Sequence, residues 1–139
     1  MGVILDTNVF IVAERSKDSG KLEELISKVP SEYQNDDVYI SVITASELLM
    51  GVHRALAPEI RSRRQLFVDS VLDQFPAISI SLGVAREHSR ISADLRRQGN
   101  IIGTHDSWIA ASALHGGHAV MSSNGKEFSR VDGLTVIDI

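Results

Sequence analysis

The sequence predicts an α/β fold in which a parallel sheet is covered by helices on both faces. Three observations point there. Short runs rich in apolar or β-branched residues alternate with helix-period segments along the whole chain. The first run is followed at once by a helix pattern, with no room for a hairpin. Acidic residues also recur where strands end and helices begin, the edge at which ligands gather in open α/β sheets.

Taken in order, Val3-Ile4-Leu5 runs into Asp6, Thr7 and Asn8 and then into Val9-Phe10-Ile11-Val12-Ala13. This reads as a buried strand ending at Asp6 and a helix starting just after it. Arg15 to Gly20 is a polar break, after which Leu22, Leu25, Ile26 and Val29 recur at helical spacing until Pro30. Ser31 to Asp37 is a polar connection. Val38-Tyr39-Ile40-Ser41-Val42 reads as a second strand, and a helix is expected to begin at Thr44. Pro58 suits the first position of the next helix, which Pro76 ends. Ile78-Ser79-Ile80 is a short alternating strand. A helix from about Ser81 to Arg97 follows, stopped by Gly99. One more helix starts near Thr104 and closes at His115-Gly116-Gly117. Ala119-Val120-Met121 is a strand, Asn124-Gly125 a turn, and Leu134 to Ile137 the final strand.

A chain of 139 residues fits one domain, residues 1–139, with a sizeable core. Apolar residues make up 43% and charged residues 23%, an ordinary mixture for a soluble protein. No apolar run approaches the roughly 18 residues that span a bilayer, so no membrane partner is expected. The start lacks the basic region and cleavage site of a secretory signal, and the cytoplasm is the expected compartment. The absence of cysteine excludes disulfides, thiolate zinc sites and a cysteine nucleophile. Any metal must be held by oxygen or imidazole. A net charge of −4 argues against a general polyanion-binding surface but leaves room for a local basic groove.

Three acids share one context: Asp6 after a strand, Glu47 near the start of a helix that follows a strand, and Asp106 near the start of a later helix. Each has a purely structural reading. Thr44-Ala45-Ser46-Glu47 matches a capping box, Asp106 lies near a helix dipole's positive end, and Asp6-Thr7-Asn8 is a helix entry. Parallel strands with helical crossovers would nevertheless bring all three to one edge of the sheet. Converging carboxylates resist joint ionisation unless a cation lies among them. Hard oxygen ligands suit Mg²⁺ or Mn²⁺, and such an ion can activate water against a phosphodiester.

The segments Leu5-Asp6-Thr7-Asn8, Ile40 to Leu48 with Gly51 after it, and Gly103 to Ala111 resemble the three acidic motifs of the PIN-domain family. The tail Met121 to Phe128, followed by Val131-Asp132-Gly133-Leu134, is similar to that family's fourth motif. The order and approximate spacing match across essentially the whole chain. Within the family the likeness is to the VapC-like toxins of toxin–antitoxin pairs. The resemblance implies a Rossmann-like, three-layer domain with a central parallel sheet of about four or five strands. It further implies Mg²⁺- or Mn²⁺-dependent endonucleolytic cleavage of RNA, silencing by a cognate VapB-like antitoxin, and a homodimer. Carried over by position, Asp6, Glu47 and Asp106 become the metal-binding acids. Asn124 falls on the fourth catalytic position, where relatives carry aspartate or asparagine, and it adds no charge. Glu127 is an alternative for that corner, and a tight turn is the structural reading of Asn124-Gly125. Ser122 falls where the family often has a hydroxyl that positions an acid. The implied reaction is in-line attack of water, leaving a 5′-phosphate and a 3′-hydroxyl.

Arg86, Arg96 and Arg97 are candidates for contacts to the RNA backbone, whereas Trp108 falls in the apolar stripe of its helix. The helix pair from Thr44 to Phe75 carries more apolar positions than one face needs, and is the expected partner surface.

Other chemistries fit less well. A haloacid dehalogenase type phosphatase needs a second aspartate where Asn8 stands. A P-loop fails because Val120 occupies the position of its upstream glycine, and no Gly-x-Ser-x-Gly elbow exists. His115 and His118 read as a polar turn. The non-enzymatic alternative is a silent PIN-like domain that binds RNA or protein only.

Overall fold

A computed structural model of the chain describes residues 2–15 and 21–139. The polar break expected from Arg15 to Gly20 therefore lies, beyond Arg15, outside the described residues. Five strands, β1 (Val3–Leu5), β2 (Val38–Ser41), β3 (Ala77–Ile78), β4 (Ala119–Ser122) and β5 (Val136–Asp138), form a sheet in the order β3-β2-β1-β4-β5. Every pairing is parallel. The helices are α1 (Thr7–Arg15), α2 (Lys21–Ser27), α3 (Val42–Arg54), α4 (Pro58–Gln74), α5 (Leu82–Gln98), α6 (Thr104–Gly116) and α7 (Gly125–Phe128), with a 3-10 turn at Ser31–Tyr33.

Strand side chains alternate between two cores because successive residues of a strand point to opposite faces. Val3, Leu5, Ala119 and Met121 pack with Phe10, Leu25, Leu48, Val68 and Phe75 under α1 to α4. Ile4 and Val120 pack with Val84, Ile91, Leu95, Ile109 and Phe128 under α5 to α7. The three layers expected of the fold are thus present, with both faces covered. Among the described residues, no helix is long and apolar enough to cross a membrane.

Several boundaries differ from expectation for local reasons. Helix α3 begins at Val42 rather than Thr44, because the Ser41 hydroxyl accepts the Ile43 N–H and caps the helix two residues earlier. Glu47 is consequently past the first turn and forms no capping box. Edge strand β3 covers only Ala77 and Ile78, paired with Ile40 and Ser41. The final strand starts at Val136, since a turn closed by the Leu134 N–H on the Val131 carbonyl, with Gly133 at φ 82°, delays it. Asn124-Gly125 is not a free turn but the entry to α7. Elsewhere the stop signals act as expected: Gly99 and Gly117 sit at φ 69° and 70° just beyond α5 and α6.

Candidate functional site at the carboxyl edge of the sheet

The strand order reverses between β1 and β4: the chain steps from β1 to β2 on one side and returns to β4 on the other. The crevice beyond the carboxyl ends of those two strands is where a doubly wound sheet binds ligands. Asp6 sits in it. Its N–H donates to the Met121 carbonyl at 3.0 Å, which ties the end of β1 to the end of β4. The side chain is buried, 1% exposed. Oδ1 accepts the Thr7 N–H at 2.8 Å and Oδ2 accepts the Ser122 hydroxyl at 2.8 Å. Burial raises the Asp6 pKa above the ordinary carboxylate value, and Glu47 adds repulsion, while the hydrogen bonds from Ser122 and Thr7 oppose the rise.

The second acid arrives from the layer of α1 to α4. Thr7 Oγ1 donates to Glu47 Oε1 at 2.9 Å and also lies 2.9 Å from Thr44 Oγ1. A hydroxyl has one proton, so with Thr7 donating to Glu47 it is Thr44 that donates to Thr7. This directed chain holds Glu47 toward Asp6, and His105 Nδ1 approaches the same carboxylate oxygen at 3.3 Å.

The third acid comes from the opposite layer. Asp106 lies in the first turn of α6. Its pKa is raised to about 6, first by burial and then by repulsion from Asp6, Glu127 and Glu47, with His105 opposing. Glu127 is held differently. Its two oxygens accept the Gly103 N–H at 2.7 Å and the Asn124 side-chain amide at 2.6 Å. Those two bonds depress its pKa and clasp α7 to the loop that begins α6. A Cβ at Gly103 would lie in ordinary contact with Asp106 Oδ2 at 3.6 Å and Glu127 Oε1 at 3.7 Å, which places this residue beside both carboxylates.

Asp6, Glu47 and Asp106 therefore face one another across the sheet edge, drawn from three elements. Asn124 lies beside them, but its side-chain amide is engaged by Glu127 and its backbone N–H donates to Ser122 Oγ at 2.8 Å. Ser122 thus relays a hydrogen bond from the start of α7 to Asp6. Sequence reasoning missed the Thr44–Thr7–Glu47 chain and the Glu127 clasp. The threonine directly after Asp6 was visible, yet nothing in periodicity marks a hydroxyl as reaching a residue 40 positions away.

The donor set is all oxygen, and the pKa values of Asp6 and Asp106 are raised first by burial and then by neighbouring carboxylates. Among the described residues no three Asp, Glu or His side chains close into a ready-made metal cage. Mg²⁺ does not need one, since it takes one or two carboxylates and keeps several waters. The residues present fit a hard divalent cation of that kind.

Removing the Ser122 hydroxyl tests this geometry. Ser122→Ala leaves the buried Asp6 carboxylate and the Asn124 N–H each short of a partner, and is expected to lower stability by about 1–3 kcal/mol, measured by urea unfolding. Unchanged stability would mean that Ser122 does not hold Asp6.

Beside Glu47, a cleft of about 850 Å³ opens between α1, α3 and α4. Ile11, Leu48, Phe67 and Val68 supply its apolar wall, and Arg54 and Arg63 border it. The helix pair expected as a partner surface is thus only partly available: Val52 and Val71 belong to the core, whereas Leu56 is 91% exposed.

The family model described as PIN domain matches residues 3–134. The chain is 35% identical over 139 residues to a protein named Ribonuclease VapC1 from Rickettsia felis, covering 100% of this chain and 97% of that one. It is 27% identical over 135 residues to a protein named tRNA(fMet)-specific endonuclease VapC from Shigella flexneri, covering 97% and 96% of the two chains. Among solved structures, it is similar to that of VapBC2 from Rickettsia felis bound to a DNA fragment from their promoter. There the TM-score is 0.83 at 25% identity, with 100% of this chain and 99% of that chain covered.

Proposed function

We propose, on the premise that this chain belongs to the PIN-domain family, that it is a VapC-like endoribonuclease toxin whose activity depends on Mg²⁺ or Mn²⁺ and is silenced by a VapB-like antitoxin. The observation that supports the reading most is the meeting of Asp6, Glu47 and Asp106 at the β1/β4 switch point, where burial and mutual repulsion call for a cation. The names of the relatives agree with it.

Asp6, Glu47 and Asp106 would hold the cation. A bound divalent cation supplies Lewis acidity and neutralises charge on a phosphodiester. The chain's own residues do the rest. The Ser122 hydroxyl and the backbone N–H groups of Thr7 and Asn8 donate to the Asp6 carboxylate and fix its orientation. The Thr44–Thr7 pair orients Glu47 in the same way. Asp106, whose pKa is raised to about 6 when no cation is bound, would give up its proton on taking one and so serves as a ligand. Asn124 completes the site indirectly, by keeping Glu127 on Gly103 and so fixing the entry to α6. Hydrolysis then consumes one water per phosphodiester and leaves a 5′-phosphate and a 3′-hydroxyl. The antitoxin would cover the cleft between α1, α3 and α4, which opens beside Glu47.

The test uses purified protein freed of antitoxin and a panel of RNAs that includes tRNA transcripts. Cleavage is expected with Mg²⁺ or Mn²⁺, is expected to stop with chelator, and should fall at least a hundredfold in Glu47→Gln. Activity that persists in chelator, or in that variant, would assign the cleavage to something else. RNA bound but never cut would leave a silent binding domain.

A further inference from the structure

On the flank of α6 away from Asp106 lies a second, smaller cleft of about 190 Å³, between the C-terminal half of α5 and the start of α6. It is below the roughly 300–1,000 Å³ of a pocket for a drug-sized ligand, and has room for about one base or ribose. Its floor is the buried pair Leu95 and Ile102, and Ile101, 70% exposed, forms an apolar rim. Thr104 and Ser92 add hydroxyls. The α6 wall of the cleft and the catalytic edge are separated by no more than a helix diameter, because Thr104 and Ser107 line the cleft and Asp106 stands between them on the same helix.

The back wall is built from a hydrogen-bonded and stacked set of side chains. The Ser107 hydroxyl donates to the Thr104 carbonyl at 2.6 Å, so His88 Nε2, 3.0 Å from Ser107 Oγ, must carry the proton of that second bond. The His88 ring lies flat on Trp108, with centroids 3.6 Å apart and planes 6° from parallel. That face of the indole is thereby occupied, and a base entering the cleft would pack on Ile101 and Leu95 instead.

Arg90 is paired with Glu87 at 2.8 Å, and Arg97 with Asp94 at 3.2 Å. Of the four arginines of α5, Arg86 and Arg96 have no ion pair among the described residues, and only Arg96 lines the cleft. An apolar slot for one ring beside an unpaired guanidinium, one helix-width from a phosphodiester-cleaving edge, matches a nucleotide of a single strand. Base faces pack on side chains and the backbone is gripped by Arg in such complexes.

We infer that the cleft between α5 and α6 takes one unpaired nucleotide of the RNA next to the scissile phosphate, with Arg96 on its phosphate and Ile101, Leu95 and Ser92 around its base. This rests on the ribonuclease reading for the identity of the ligand. It makes Arg96 and Ser92 determinants of where the strand is cut. Arg97, tied to Asp94, contributes little.

The test measures binding and cleavage separately. In an Asp6→Asn background with Mg²⁺, a fluorescent single-stranded RNA of mixed sequence is titrated by anisotropy at several salt concentrations. Arg96→Ala is expected to weaken binding about tenfold and to reduce the salt slope by about 0.7, one single-strand phosphate contact. Arg97→Ala should stay within about twofold. Removing the base at one position of the RNA should cost about tenfold in affinity, and that sensitivity should vanish when Ser92→Phe fills the cleft. Arg96 is exposed, so its variant keeps the inference testable if Ser92→Phe does not fold. Unchanged affinity and slope in Arg96→Ala would overturn the inference, as would indifference to every base removal. Should the protein with Asp6 intact cut RNA, and cut it equally well when Arg96→Ala or Ser92→Phe is made in it, with binding in the Asp6→Asn background also unchanged, the nucleotide cleft is lost and the ribonuclease reading stands. RNA binding that depends on Arg96, with no cleavage by the otherwise unaltered protein, would keep the nucleotide cleft and sink the ribonuclease reading.

Discussion

Asp6→Asn is expected to lower RNA cleavage by about a thousandfold or more, a loss of ~4 kcal/mol in transition-state stabilisation, while changing stability by less than about 1 kcal/mol. The two expectations have different causes. Asp6 is the acid held on both sides, by the Thr7 N–H and by the Ser122 hydroxyl, at the point where β1 and β4 end together. Its negative charge is the property a cation needs, and an amide lacks it. The fold, by contrast, does not need the charge, because burial already disfavours it. The amide oxygen can still accept the Thr7 N–H. The new NH₂ group can donate to Ser122 Oγ, whose proton then turns away. Single-turnover cleavage, thermal unfolding and calorimetric Mg²⁺ titration on one preparation separate the two effects. Loss of activity together with a large loss of stability would make Asp6 a structural residue, and retained cleavage would remove it from the site.

The positions of Asp6 and Asp106 were legible in the sequence because each belongs to a junction with a strong local signature. A buried three-residue strand running straight into a helix leaves an acid at the sheet edge, and Gly103-Thr104 marks a helix start with its acid in the first turn. For Glu47 it is the purely structural reading that fails. Its spacing from Thr44 suggested a capping box, but Ser41 caps α3, and that shift moves Glu47 off the helix end and onto Thr7. Val42 and Ile43 misled because β-branched residues suit strands, while here the cap overrides propensity. The Glu127 clasp was out of reach for another reason. Gly103 and Glu127 are 24 residues apart, and their contact exists only once α6 and α7 are packed on one face of the sheet. The apolar positions of α3 and α4 show the same limit. Val52 and Leu56 look alike in a helical repeat, yet α3 ends at Arg54, so Val52 is core and Leu56, in the link to α4, is 91% exposed.

In metal-free protein, Asp106→Asn is expected to gain stability relative to the unaltered chain as pH rises from 5 to 8, and saturating Mg²⁺ is expected to reverse that order. The folded-state pKa of Asp106 is raised from 3.8 to about 6, so its carboxyl favours the folded state when protonated. That contribution is complete below the unfolded value near 3.8 and is lost as pH rises through about 6. At face value a shift of about two units is worth ~3 kcal/mol. Asp106 is only half-buried, and solvent screening reduces the figure to about 1–1.5 kcal/mol. The raw stability curve will not display it cleanly. His88 and His118 are lowered by burial, which adds stability that is lost in the opposite direction, as pH falls below about 6.5. Those histidines are common to both proteins, so the difference between variant and parent cancels them and leaves Asp106 with the groups it interacts with, Asp6, Glu127, Glu47 and His105. With Mg²⁺ at about a hundred times its dissociation constant, the parent gains about 2.7 kcal/mol by mass action, more than the repulsion costs. A variant lacking one ligand gains less. Urea unfolding at each pH, with chelator and with Mg²⁺, reads both differences. If the metal-free difference is flat across this range, Asp106 is neither desolvated nor crowded by carboxylates as described. If Mg²⁺ leaves the order unchanged, the acids at the β1/β4 edge share no cation.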